Sequence, residues 1–100
     1  MNKIIRKPFS GKTTELIKKS AETGMIIITP TKSMEKHTAK MAEDMGLQIP
    51  KPINIISYLN NRRFLGIHEK ILIDNADVCL QVIFGIETEI DTITIDCDLT

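Results

Sequence analysis

Gly11, Lys12 and Thr13 stand together after a short apolar stretch, Ile4–Ile5, and before a segment with helical periodicity. A glycine, a lysine and a hydroxyl residue in that order, between a strand and a helix, fill the last three positions of the phosphate-binding loop pattern G-x-x-x-x-G-K-[ST]. Each residue type has a physical task. Gly11 lets the backbone approach a phosphate closely. The amides of Ser10 to Thr14, with the N-terminus of the following helix, attract an anion. Lys12 would reach β- and γ-phosphates, and the Thr13 hydroxyl would ligate Mg²⁺. The first position of the pattern, usually glycine, is Arg6, which can either crowd the loop or pair with a phosphate. The plainer alternative is a helix start with an incidental lysine.

A second candidate lies 61 positions after Thr13. Ile71-Leu72-Ile73-Asp74 is an apolar run ending in a carboxylate. At the C-terminal tip of a strand in an open α/β sheet, where ligands bind, Asp74 would face the loop at Lys12 and hold Mg²⁺ through water. Taken alone, an apolar run ending in Asp is a weak signal, and the plainer alternative is a solvated strand-end carboxylate.

Residues so far apart need a scaffold, and the chain alternates strand and helix signals. Strands are expected at Lys3–Arg6, Met25–Thr29, Ile53–Ile56, Lys70–Asp74 and Thr92–Ile95. Helices are expected at Thr13–Glu22, Ser33–Met45, Tyr58–Phe64 and Ala76–Phe84. In the first helix Leu16, Ile17, Ser20 and Ala21 share a face, and Gly24 follows its end. Met34, Thr38, Met41 and Met45 recur at helical spacing in the second, with the methionines read as core. Met25-Ile26-Ile27-Ile28 is a continuous run, as in a strand covered on both faces. Ala76–Phe84 is apolar enough to suit either element, and a crossover helix is chosen because another strand follows. The alternation predicts an α/β fold, a parallel sheet of about five strands flanked by helices, forming one domain over 1–100.

Bulk properties narrow the function classes. The 100 residues carry 13 basic and 13 acidic side chains, so net charge makes no case for nucleic acid. The distribution is uneven: Lys3, Arg6, Lys7, Lys12, Lys18 and Lys19 crowd the beginning, and Glu87, Glu89, Asp91, Asp96 and Asp98 the end. Cys79 and Cys97 form no CxxC pair and read as free thiols in a reducing cytoplasm. No secretory leader and no run long enough to span a bilayer is visible, so a soluble cytoplasmic protein is expected. His37 and His68 lack metal-type spacing and read as surface residues.

These motifs resemble the first RecA-like lobe of superfamily 1 and 2 helicases, in miniature. Asp74-Asn75-Ala76-Asp77 is similar to that family's Asp-Glu-Ala-Asp box, and Ile28-Thr29-Pro30-Thr31-Lys32-Ser33 to its segment that touches nucleic acid after the second strand. Ile56-Ser57-Tyr58 falls where another strand-end motif lies. A loop with a basic residue in place of the first glycine also resembles phage terminase ATPases. The resemblance implies a P-loop NTPase core that binds ATP or another NTP with Mg²⁺. Arg6, Ser10, Gly11, Lys12, Thr13 and Thr14 would contact nucleotide, and Thr13 and Asp74 would hold the metal. It also implies that the Thr92–Ile95 strand lies between Lys3–Arg6 and Lys70–Asp74. The family's glutamate after the metal-binding aspartate is Asn75 here. An amide can orient the attacking water but cannot take its proton, and losing a general base costs roughly 10²–10⁴-fold in rate. No second lobe is expected to supply an arginine, a group worth about 10³–10⁵-fold in related hydrolases.

The expectation is a Mg-ATP binding module with weak or no intrinsic hydrolysis, with Asp74 and Asn75 as its catalytic positions. It would serve a replication, recombination or packaging machine, in a host cytoplasm if phage-encoded. Thr31, Lys32, Arg62 and Arg63 are candidate contacts to nucleic acid or a partner. Arg62-Arg63 beside Tyr58 and Phe64 offers cations with stacking aromatics, which is equally the composition of an exposed short helix. Asp77 suits a helix N-cap or dipole partner. Thr94 or Asp96 could lie near a γ-phosphate. The alternatives are a regulatory or protein-binding domain that kept the fold without nucleotide, and an oligomeric NTPase using Arg62 or Arg63 across an interface.

Overall fold

The computed structural model describes residues 11–65, 70–85, 87–92 and 94, with side chains outside the description at 62–65. In chain order the elements are α1 (Lys12–Thr23), β1 (Ile26–Thr29), α2 (Lys32–Asp44), β2 (Ile53–Asn54), α3 (Ile55–Leu65), β3 (Ile71–Ile73) and α4 (Ala76–Phe84). The three strands form a parallel sheet in the order β2-β1-β3. Ile28 aligns with Ile53 and Thr29 with Asn54 on one side of β1; Ile26, Ile27 and Ile28 align with Ile71, Leu72 and Ile73 on the other.

The central strand explains the layering. Ile27 and Ile28 are both fully buried, and successive side chains on a strand point to opposite faces. Ile27 packs with Leu16, Ile17, Ala42 and Leu72, and Met25, Met41, Met45, Leu47 and Ile49 close around them. Ile28 packs with Ile55 and Cys79, joined by Ile26, Ile53, Tyr58, Ile71 and Val82. Helices α1 and α2 thus cover one face, and α3 and α4 the other. Burying one such isoleucine stabilises the fold by about 1.5–3 kcal/mol.

Local chemistry sets the element ends. Gly24 stops α1 in a left-handed conformation, φ 78°, with its N–H on the Ser20 carbonyl at 2.8 Å. Buried Ser20 turns its hydroxyl to the Met25 carbonyl at 2.6 Å, tying the helix end to the start of β1. Thr31 caps α2, its hydroxyl accepting from the Met34 N–H at 3.2 Å.

Two expectations are corrected. Among the described residues the sheet has three strands, not about five. The Lys3–Arg6 segment lies outside the described residues, as do Ile93 and Ile95, so the forecast of strand order around Thr92–Ile95 has no counterpart here. Thr92 and Thr94 belong to no strand. The chain after α4 follows side-chain bonds instead of a ladder. The Gln81 amide donates to the carbonyls of Gly85 and Thr88, and the Thr88 hydroxyl donates to the Phe84 carbonyl. The second correction is at Ile53–Ile56. Strand pairing stops after Asn54, and α3 begins at Ile55, three residues before the expected Tyr58. Asn54 is the cause: its Oδ1 accepts from the Ser57 N–H at 3.0 Å, an N-cap bond that turns an apolar β-branched run into helix.

Candidate functional site at the carboxyl end of β3

The sheet is parallel, and α2, α3 and α4 each follow directly from the C-terminal end of a strand. Asp74 directly follows β3, and its N–H continues the sheet by donating to the Ile28 carbonyl at 2.9 Å. The carboxylate is almost wholly buried, at 2% exposure. Its Oδ2 accepts from the Thr13 hydroxyl at 3.0 Å. Lys12, one residue earlier on α1, donates from Nζ to Oδ1 of Asn75 at 3.4 Å. Two consecutive residues at the start of α1 therefore meet two consecutive residues at the end of β3.

Gly11 makes this approach possible. It precedes α1 at φ 89°, ψ 15°, with open space where a Cβ would stand. An L-residue there would carry the left-handed strain that glycine avoids. The first backbone N–H groups of a helix have no intrahelical partner, so those of Lys12, Thr13 and Thr14 join the positive end of the α1 dipole beside the Asp74 carboxylate.

Cys79 lies beneath this corner. Its Sγ donates to the Asp74 carbonyl at 3.4 Å. Burial, then the nearby charges of Asp74 and Asp77, push its thiol from an ordinary 9.0 to about 11. A thiol so raised stays protonated near neutrality and is a poor nucleophile or metal ligand.

No three of the described His, Cys, Asp or Glu residues cluster as a metal cage. The Thr13 hydroxyl and Asp74 carboxylate still suit Mg²⁺, which takes one or two protein oxygens and completes its shell with water and phosphate.

The other sequence-predicted residues fall differently. Thr14 is in the first turn of α1. Arg6 and Ser10 lie outside the described residues, as do Asp96, His68 and the side chains of Arg62 and Arg63. Thr31 and Lys32 open α2 and are exposed at the end of β1. No hydrogen bond among the described residues joins them to Lys12, Thr13 or Asp74. Asp77 is in the first turn of α4, where a carboxylate complements the helix dipole; the N-cap position is Asn75. Thr94 is exposed, and so is His37.

A polar cluster at the end of β2 had no clear signature in the sequence. Glu35 Oε2 accepts from the Asn54 backbone N–H at 2.7 Å and its Nδ2 at 2.8 Å, and Nδ2 also donates to the Ser57 hydroxyl at 3.1 Å. The usable clue was Asn54 three positions before Ser57, an N-cap spacing. On α4, Leu80, Ile83 and Phe84 form an exposed apolar row, with Phe84 60% exposed.

Comparison with protein-family models, curated proteins and solved structures finds no match. The coordinates define a small α/β domain with a three-stranded parallel sheet flanked by helices. Among the described residues no helix is long and apolar enough to cross a membrane.

Proposed function

We propose that this chain is a P-loop-type nucleotide-binding module that takes ATP or another NTP with Mg²⁺ and hydrolyses it slowly or not at all. The reading rests above all on one observation. The Thr13 hydroxyl and Asp74 carboxylate, 61 positions apart, meet at 3.0 Å with Lys12 and Asn75 alongside. A hydroxyl and a buried carboxylate at one point, with a lysine and a helix N-terminus next to them, are the groups a metal-bound phosphate chain requires.

In this reading the Lys12 ammonium and the N-terminal amides of α1 bind phosphate oxygens. Thr13 Oγ1 and Asp74 hold the metal, whose chemistry is to neutralise phosphate charge. Asp74 is fixed through its backbone bond to Ile28, so its carboxylate needs little reorganisation. Asn75 can hold or orient a water, but its amide has no basic site for the proton. Binding without rapid turnover follows. Thr31 and Lys32, exposed on the neighbouring strand end, would be its contacts to nucleic acid or to a partner of a replication, recombination or packaging machine.

Titration calorimetry of Mg-ATP into the wild type and Lys12→Ala tests the reading. Saturable binding that the variant loses supports it; no binding to the wild type at millimolar nucleotide removes it. The exposed row Leu80, Ile83 and Phe84 favours a second reading, a protein-binding domain that works without nucleotide. In that case Lys12→Ala leaves function unchanged.

A further inference from the structure

Asn75 combines three features that belong together. Among the described residues it is the only one other than glycine with positive φ, at φ 53°, ψ 62°. It occupies the N-cap of α4 and is one of the best N-capping residue types, yet its side chain makes no capping hydrogen bond. That side chain instead accepts from the Lys12 ammonium, 63 positions away in sequence. Thr31 at the head of α2 behaves in the ordinary way, with extended backbone at φ −138°, ψ 163° and its hydroxyl on the Met34 N–H. Asparagine tolerates the left-handed region better than most residues, so the uncapped helix start and the contact to Lys12 are what set this junction apart.

We propose that Asn75 is a two-position switch that senses phosphate at Lys12. With no ligand its amide holds the Lys12 ammonium; when a polyphosphate takes Lys12, the amide turns back and caps α4. The proposal rests on the phosphate-binding reading of Lys12. The exchange runs toward phosphate for a chemical reason. The Lys12–Asn75 contact is long at 3.4 Å and its acceptor is a neutral amide, whereas an anionic phosphate oxygen makes a shorter and stronger bond to an ammonium. The released Oδ1 then has the N–H groups of Asp77 and Val78, the second and third residues of α4, as its nearest capping donors. Capping residues take extended backbone, so the return of the amide carries Asn75 out of the left-handed region. The first turn of α4 tightens, and with it the helix that displays Leu80, Ile83 and Phe84. Occupancy is thereby reported to an exposed apolar surface with no bond broken in the nucleotide, which suits a site that binds and turns over slowly.

Amide hydrogen exchange at Asp77 and Val78, with and without Mg²⁺ and tripolyphosphate, tests the switch. The proteins are the wild type and Asn75→Gly, which keeps the left-handed backbone accessible and deletes the amide. In the wild type the ligand should slow exchange of those two amides about threefold to tenfold, the range of a gained helix cap. In Asn75→Gly it should leave them unchanged, and tripolyphosphate should bind about threefold or more tightly because Lys12 is no longer held. Equal protection in both proteins, with saturable binding in both, overturns the switch and leaves the phosphate site standing. No saturable binding to either protein at millimolar ligand overturns the phosphate reading and the switch together.

Discussion

Two strand ends, each passing through an asparagine into a helix, are built in opposite ways. At the end of β2, Asn54 is buried and its backbone N–H and both side-chain polar atoms are engaged: it caps α3 through Ser57, and Glu35 takes both its backbone and side-chain N–H groups at 2.7 and 2.8 Å. At the end of β3, Asn75 is half-buried, caps nothing, sits in the left-handed region and holds a single 3.4 Å bond to Lys12. The first junction uses its asparagine to lock a turn. The second leaves its asparagine with one long contact, to a lysine that stands beside a hydroxyl and a buried carboxylate. The same residue type is fully bonded in one place and held by one long contact in the other. What distinguishes them is how completely the donors and acceptors are matched.

Substitutions can break this contrast, and the largest effect belongs to the β3 end. Lys12→Ala should weaken Mg-ATP binding roughly 10- to 150-fold, the worth of a bond to a charged group, with little change in the urea midpoint. Calorimetry and denaturation on the same sample separate the two. Asn54→Ala should do the reverse. Losing a cap and one of the two bonds to Glu35 should cost about 2 kcal/mol or more in urea unfolding, while nucleotide affinity stays as in wild type. A fall in affinity there would mean the two strand ends are coupled.

Cys79 gives a pH test of the same corner. Its proton is held more tightly in the fold, with the thiol raised from 9.0 to about 11. Its contribution is therefore intact below pH 9 and is lost as pH rises toward 11, because the unfolded thiol ionises first. Urea midpoints of the wild type should drop across that window, and those of Cys79→Ala should drop less. The smallest effect is expected from Asn75→Gly, which should change stability by under about 1 kcal/mol because glycine accepts positive φ without strain. Asn54→Gly, by contrast, should be clearly destabilising, since it removes the cap to Ser57 and the side-chain bond to Glu35.

Much of this scaffold was legible because punctuation and periodicity agreed. Gly24 and Pro30 bracket Ile26–Thr29, the Met41 and Met45 spacing marks the inner face of α2, and Ala76–Phe84 forms the helix expected of a crossover. The boundary at Asn54 was not legible from apolar pattern. Ile53 to Ile56 satisfies strand propensity, and only the side-chain cap to Ser57 converts its second half to helix. At the candidate site, the residue types at Lys12, Thr13 and Asp74 pointed to one another, and the structure brings them together. Neither the left-handed backbone of Asn75 nor its turn toward Lys12 could be read from sequence, because both depend on α1 lying against the end of β3. Thr92–Ile95 has strand propensity, yet Thr92 and Thr94 belong to no strand, and the local side-chain bonds of Gln81 and Thr88 in the preceding turn leave no periodic signature in the sequence.

The Thr13–Asp74 contact also bears on when the site comes into being. Thr13 leaves the ribosome 61 residues ahead of Asp74, with Lys12 just before it, a lead of roughly 3–12 seconds at about 5–20 residues per second. Throughout that interval the nascent chain has the lysine and the hydroxyl but no carboxylate to meet them. Pairing of β3 with β1 must then close a long loop, which is among the slower steps of folding. The meeting of Thr13 with Asp74 is therefore a late event: the corner exists only in a chain that has already paired β3 with β1.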